Sequence, residues 1–159
     1  MLATRIMESA GKIVAEGGPG AAVLSRMFKV HVAVYRFTGG RIGHRFPGMP
    51  PFLLMEHVGA KSGKVRTNPL GYVRDGENVI LIGSNGGGPR NPGWFYNLQA
   101  NPDVRIWIGS QQKRVRAHVA DPDERDRLWP RVLEVSDIFI DYQRRTEREI
   151  PLVVLEPRS

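Results

Sequence analysis

Four basic side chains, Lys61, Lys64, Arg66 and Arg90, stand in or beside two glycine-rich segments. The first segment is Gly59-Ala60-Lys61-Ser62-Gly63-Lys64-Val65-Arg66; the second is Ser84-Asn85-Gly86-Gly87-Gly88-Pro89-Arg90. Glycine lets a main chain turn tightly and approach a ligand closely, while ammonium and guanidinium groups supply charge-assisted donors. Together they suit an anion, most simply a phosphate. Asn91-Pro92 reads as the cap and first position of a short helix, whose open N–H groups also favour negative charge.

Other chemistry is hard to find in the chain. Residues 59–64 look superficially like the phosphate loop of nucleotide hydrolases. Three residues rather than four separate the glycines, however, and Val65 stands where a magnesium-binding hydroxyl is needed. The second segment does not match the dinucleotide fingerprint. His31, His44, His57 and His118 lack the spacing of metal ligands, so no metal site is expected. Ser62 and Ser84 sit in no nucleophile elbow, and Glu56 reads as an exposed strand position. There is no cysteine, which excludes thiol nucleophiles, disulfides and cysteine metal sites. An anion site with so little acid–base machinery fits chemistry carried by a bound cofactor. Hydride transfer from a reduced flavin-like ring is one case, because there the protein mainly aligns two planes and excludes water.

The elements that must position these segments follow from periodicity. Residues 2–16 and 21–37 read as helices separated by Gly17-Gly18-Pro19-Gly20. After a Pro/Gly-rich connection the pattern turns to period two. Strands are expected over residues 52–58, 65–74, 78–83, 104–108, 114–120 and 151–155, with helices over 92–100, 121–134 and 136–145. Asp121-Pro122-Asp123-Glu124 is a capping-box start in which the Glu124 carboxylate should reach back to the cap. Trp107 and Trp129 read as core. Short turns between strands favour antiparallel pairing. The expected fold is mainly β with helices (α+β), a small antiparallel barrel with helices packed outside. It is one structural domain, divided into an N-terminal helical segment (residues 1–50) and a barrel (residues 51–159).

The net charge is +7 over 159 residues, and no acid occurs between Gly17 and Met55. Arg26, Lys29, Arg36, Arg41 and Arg45 fall in that stretch. Such an excess favours nucleic acid, an anionic membrane surface or an acidic small molecule. Nucleic acid gains nothing from the glycine-rich motifs and is not expected as a partner. The helix over 21–37 has three readings: core, membrane-surface element, or lid over a hydrophobic substrate. No apolar run is long enough to cross a bilayer and no secretory signal is apparent, so the expected location is cytoplasmic, with peripheral placement on the inner face of the membrane left open.

Larger patterns run through the chain: Gly59-x-Lys61-Ser62-Gly63-Lys64-x-Arg66-x-x-Pro69-Leu70, then Ser84-x-Gly86-Gly87, then Asn91-Pro92-x-Trp94-x-x-Asn97-Leu98-x-Ala100-x-Pro102. They continue with Leu128-Trp129, Asp141-Tyr142-Gln143, Thr146-x-Arg148-x-Ile150-Pro151 and Leu155-Glu156-Pro157. This series resembles the deazaflavin-dependent nitroreductase family, actinobacterial reductases that use coenzyme F-420. The resemblance implies a split β-barrel of flavin-reductase type and hydride transfer from the reduced deazaflavin to quinones, nitroaromatics or other electron-poor acceptors. It implies that Lys61 and Arg66 lie near the phosphate and acidic tail of the cofactor, with Ser62, Gly63 and Lys64 adding contacts. Pro69 and Leu70 would lie along the ring, Ser84, Asn85, Gly86 and Gly87 against the ring or its phosphate-bearing arm, and Trp94 and Asn97 in the pocket wall. Tyr142, as candidate proton donor, would face substrate with Phe139 and Ser136. Two departures stand out: Asn85 replaces a frequent lysine, a charge that Arg90 could restore, and Tyr142 alone remains of several substrate-side tyrosines. A quinone is the leading acceptor. The rival readings are a non-catalytic carrier of deazaflavin or lipid, and the same barrel using flavin mononucleotide (FMN).

Overall fold

The computed structural model describes residues 19–159. The helix expected over 2–16 lies outside the described residues. Six strands form a closed antiparallel barrel: β1 (Phe52–Val58), β2 (Val65–Asp75), β3 (Asn78–Ile82), β4 (Asp103–Ile108), β5 (Gln111–Val119) and β6 (Leu152–Pro157). The order around the barrel is β1-β2-β3-β6-β5-β4, and β4 pairs back onto β1 through Leu54 opposite Trp107. Among the described residues four α-helices attach to it: α1 (Pro19–Thr38), α2 (Gly93–Ala100), α3 (Pro122–Val135) and α4 (Ile138–Arg144).

Strand alternation builds two apolar layers. Leu53, Met55, Tyr72, Val79, Leu81, Ile106, Val153 and Leu155 fill the barrel interior, and α2 adds Trp94, Phe95 and Leu98 to it. The neighbouring residues of opposite parity, Val73, Ile80, Ile82, Leu152 and Val154, form an outer layer under Leu128 and Val132 of α3 and Phe139 and Tyr142 of α4. A strand buried on both faces reads as a continuous apolar run, which accounts for 78–82 and 152–155.

Helix α1 is held differently. Tyr35, fully buried, puts its hydroxyl among the Phe52 carbonyl, the His44 Nδ1 and the Gly109 N–H at 3.1, 3.1 and 2.8 Å. Burial raises the pKa of this phenol, so it stays protonated and donating. Glu56 is not simply exposed: its half-buried carboxylate bridges Arg36 of α1 and Arg105 of β4. Trp107 is not core either, but lies half-buried on the barrel exterior with the Arg36 guanidinium 4.9 Å from its ring.

Three local expectations are corrected. Helix α2 begins at Gly93 with Pro92 as its cap and no side-chain capping bond; Asn91 instead accepts from Arg148 Nη1 at 2.6 Å. Strand β5 starts at Gln111 because Gly109-Ser110 alone makes the hairpin, with Gly109 at φ +62°. Asp121 caps α3 through Glu124 N–H, but the Glu124 carboxylate goes to His118 Nε2 at 2.9 Å rather than back to the cap.

Candidate functional site

The β1–β2 hairpin is the spine of the site. Its register runs from Phe52 opposite Gly71 to Val58 opposite Val65, where Gly59–Lys64 turns the chain. Gly59 N–H donates to Lys64 O and Gly63 N–H to Gly59 O, both at 2.9 Å. The turn therefore sits six residue steps, about 20 Å, from Phe52 along one strand.

A cleft of about 930 Å³ runs beside this hairpin. At the turn end it is lined by Lys61, Ser62 and Arg66, with Arg90 from the second glycine-rich segment. Pro69, Leu70 and Gly71 continue the wall along β2, facing Trp94 and Asn97 of α2. Leu24 and Phe28 of α1, Met49 and Phe52, and Ile138, Phe139 and Tyr142 supply apolar surface. Among the described residues, no aspartate or glutamate lines the cleft. Among the described residues, Lys61, Lys64, Arg66 and Arg90 form no salt bridge, whereas Arg105, Arg116, Arg125, Arg127, Arg131 and Arg158 all do. Lys61, Arg66 and Arg90 thus bring unneutralised positive charge to the cleft.

The second segment reaches the cleft through Ser84, Asn85 and Gly86. Ser84 is right-handed (φ −70°, ψ −36°) and Asn85 left-handed (φ +46°), an alternation that turns successive N–H groups to one side as in an anion nest. Asparagine tolerates that conformation better than most residues with a Cβ, and its side chain donates to Arg90 O at 3.0 Å. The segment is clamped from behind by Arg148. Its guanidinium donates to Ser84 O (2.8 Å), Gly88 O (3.0 Å) and Asn91 Oδ1 (2.6 Å). Burial lowers the pKa of Arg148.

Four expected site residues lie off the cleft wall. Gly63 and Lys64 are exposed and do not line the cleft. Gly87 is buried against α4, where an added Cβ would come within 2.8 Å of Tyr142 O. Ser136 caps the end of α3, and α4 begins at Ile138, so that Ile138 and Phe139 reach the cleft instead. Lys61, Ser62, Arg66, Pro69, Leu70, Ser84, Asn85, Gly86, Trp94, Asn97, Phe139 and Tyr142 are brought together around one space. Trp94 is only 8% exposed, so it is both core and wall. Tyr142 is buried, with its ring edge-on to Phe139 at 6.0 Å and Arg145 over it at 5.6 Å.

Sequence reasoning missed His57. It is 2% exposed, borders the cleft, and bonds to Asn68 and Asn97. Its pKa is lowered, first by burial and further by the nearby Arg66 charge, with the Asn68 bond opposing. The available signal was strand parity, since Leu53, Met55 and His57 share the inward face of β1. Leu24, Phe28, Met49, Phe52 and Asn68 were also missed as lining residues.

The profile of the family described as "F420H(2)-dependent quinone reductase" matches residues 27–157. A Mycobacterium tuberculosis protein named F420H(2)-dependent quinone reductase is 47% identical over 136 residues, covering 84% of this chain and 91% of its own. A solved F420-H2 dependent reductase superimposes with a TM-score of 0.62 at 34% identity, over 67% of this chain and 94% of that one. A solved domain-swapped dimer gives 0.65 at 28% identity, over 87% of this chain and 100% of that one. The match spans most of the chain and the fold is shared with solved relatives: the chain belongs to the F420H(2)-dependent quinone reductase family.

Proposed function

We propose that this protein binds reduced coenzyme F-420 in the cleft and reduces a quinone there. The observation that carries the reading is the division of the cleft wall: cations without ion pairs at the hairpin turn and apolar side chains towards Phe52, with no carboxylate between them among the described residues. A cofactor with an anionic tail and a planar head needs that division, and the volume suits a ligand of that class. When bound, the reduced deazaflavin supplies the hydride.

The chain's own residues do the rest. Lys61 and Arg66 hold the anionic tail, with Ser62 beside them, and the Ser84–Gly86 segment offers backbone N–H groups to the ring or its phosphate-bearing arm. Arg90 stands in for the charge absent at Asn85. Pro69, Leu70 and Trp94 sandwich the planar head and exclude water. Phe139, with Leu24 and Phe28, forms the apolar acceptor side. The Tyr142 hydroxyl is the candidate donor of a proton or hydrogen bond to the reduced acceptor oxygen. Quinones lead over nitroaromatics because the related proteins are named for quinone reduction. FMN finds no support in those relatives, nor does a non-catalytic carrier.

Titration of the protein with F-420 and with FMN, followed by fluorescence, tests the cofactor. Oxidation of reduced F-420 by menadione, with and without protein, tests turnover. Tighter binding of F-420 with protein-dependent oxidation is expected; saturable binding without turnover would return the carrier reading.

A peripheral membrane position is proposed on separate grounds. No described helix is long and apolar enough to cross a membrane. Yet Val23, Met27, Val30 and Phe37 lie on one stripe of α1 and are 57–93% exposed, on a helix carrying Arg26, Lys29 and Arg36 with no acid. That combination fits the interface of an anionic bilayer, each nearby basic residue adding about 1 kcal/mol. Flotation with anionic and zwitterionic liposomes at physiological salt decides it; protein wholly in the soluble fraction with both would reject it.

A further inference from the structure

The buried groups beneath the cleft form a run of hydrogen bonds with a fixed direction. A backbone N–H can only donate, so at 2.9 Å from Ala60 N the Asn97 side chain must present its oxygen. The Asn97 nitrogen then faces His57 Nδ1 at 3.1 Å. Because that nitrogen is a donor, His57 Nδ1 must accept and therefore carries no proton. A neutral imidazole bearing its proton on Nε2 donates at 2.7 Å to Asn68 Oδ1. The Asn68 oxygen is thereby engaged, and its NH2 group, with no hydrogen-bond partner among the described residues, is left as a donor in a residue that lines the cleft.

We propose that His57 is a positioning residue. Through this run it fixes the Asn68 amide so that N–H, not C=O, is offered to the carbonyl edge of the bound heterocycle, and it ties that donor to the turn bearing Lys61. The proposal rests on the deazaflavin reading above for the identity of the ligand. Its physical core concerns amide orientation alone. Asn68 lies opposite Met55 and beside Pro69 on β2, at the level of the wall assigned to the planar head. Without the imidazole the amide could rotate by half a turn at little cost and present oxygen to oxygen, which repels. His57 touches neither tail nor reacting atoms in this scheme; it acts through Asn68 and Asn97.

The test uses the full chain and F-420 as probe. Nitrogen NMR of the free protein reports the His57 tautomer without any cofactor: an Nε2-protonated ring is expected, and an Nδ1-protonated ring overturns the proposal. The variant His57→Leu, which removes both bonds, should bind F-420 about tenfold more weakly, the scale of one good hydrogen bond. His57→Gln offers one N–H and one C=O to the same partners and should stay within about threefold of the parent. Asn68→Asp keeps the acceptor for His57 but replaces the free donor by a carboxylate oxygen. It should lose F-420 affinity by about tenfold or more and alter the absorption shift seen on binding. A folded His57→Leu that binds like the parent overturns the proposal, as does a His57→Gln as weak as His57→Leu. If His57→Leu does not fold, parent-like binding by Asn68→Asp overturns it. If the parent itself fails to bind F-420, it is the functional reading that falls, and the tautomer measurement still stands or fails by itself.

Discussion

The two glycine-rich segments have similar compositions and are built in opposite ways. The first, Gly59–Lys64, is closed by two backbone hydrogen bonds and touched from helix α2 by Asn97, while its cations are exposed and have no ion-pair partner among the described residues. The second, Ser84–Arg90, is held from below by two donors of one half-buried arginine, whose third donor goes to the adjoining Asn91, and by its own Asn85 side chain. One loop carries charge on a simple scaffold; the other carries little charge on a reinforced one. A flexible anionic tail needs charge more than exact geometry, whereas a rigid planar head needs backbone donors that do not move. The two should therefore fail differently, the first in affinity without loss of fold, the second in fold first.

The largest effect is expected at the first segment. Replacing Lys61 and Arg66 together by alanine should weaken F-420 binding about a hundredfold, about tenfold for each charge-assisted contact. The melting temperature should hardly move, since both side chains are exposed and neither is in an ion pair. Fluorescence titration beside thermal denaturation checks both halves. Raised salt should mimic the substitution in the parent and do little to the variant.

The second segment should show the converse. Arg148→Met leaves Gly88 O and Asn91 Oδ1 without this donor and Ser84 O with the Gly87 N–H alone, and should cost about 2–4 kcal/mol of stability. For a domain of this size that is a fall in Tm of about 5–15 °C. F-420 affinity should fall as a consequence, and Arg148→Lys, with one centre of charge in place of the fork, should recover only part of either loss. If Arg148→Met melts like the parent, the contrast between the loops is lost.

A matched pair of glycines separates conformation from packing. Gly63 and Gly87 have similar left-handed φ values, +64° and +79°. A Cβ at Gly63 would meet nothing within 4 Å, but at Gly87 it would meet Tyr142 O at 2.8 Å and Arg145 Cβ at 3.0 Å. Gly63→Ala should therefore cost only the intrinsic penalty, about 1–2 kcal/mol. Gly87→Ala adds displacement of α4 and should cost about 1–3 kcal/mol more. Chemical denaturation with an unchanged m-value would measure the difference.

Legibility in the sequence followed the range of the interactions. The strands were readable because alternation is a local property, as in Val104, Ile106 and Ile108 against Arg105 and Trp107, and most boundaries fell within three residues of the structure. The cationic turn was readable because its glycines and lysines are contiguous. What stayed hidden depends on residues brought together from afar. Arg148 meets partners 57 to 64 positions away, and His57 meets Asn97 at a separation of 40. Likewise Leu24 and Phe28 look like any helix positions until α1 is laid along the cleft. Ser136 and Gly87 were misplaced for a related reason, because a motif fixes the order of residues but not which side of a short helix or loop meets the ligand.

The smallest effect, and the one that sharpens the comparison most, is the pH dependence set beneath the first segment. His57 has a folded-state pKa below its ordinary value near 6.5, because burial and the Arg66 charge disfavour the imidazolium more than the Asn68 bond favours it. In the unfolded chain it titrates near 6.5, so above that pH both states are neutral and its contribution to stability is complete. As pH falls below about 6.5 the unfolded chain takes up the proton first, and stability declines until the folded pKa is reached. Protonation at Nδ1 also sets donor against donor at Asn97, and so loosens the bond to Ala60 at the start of the cationic turn. Stability curves from pH 5 to 8 should therefore show a decline on the acid side that His57→Gln lacks. The second segment, whose clamp is an arginine charged throughout this range, should contribute no such slope. If parent and His57→Gln decline in parallel, the titrating group lies elsewhere and the imidazole beneath the turn is not neutral by design of its partners.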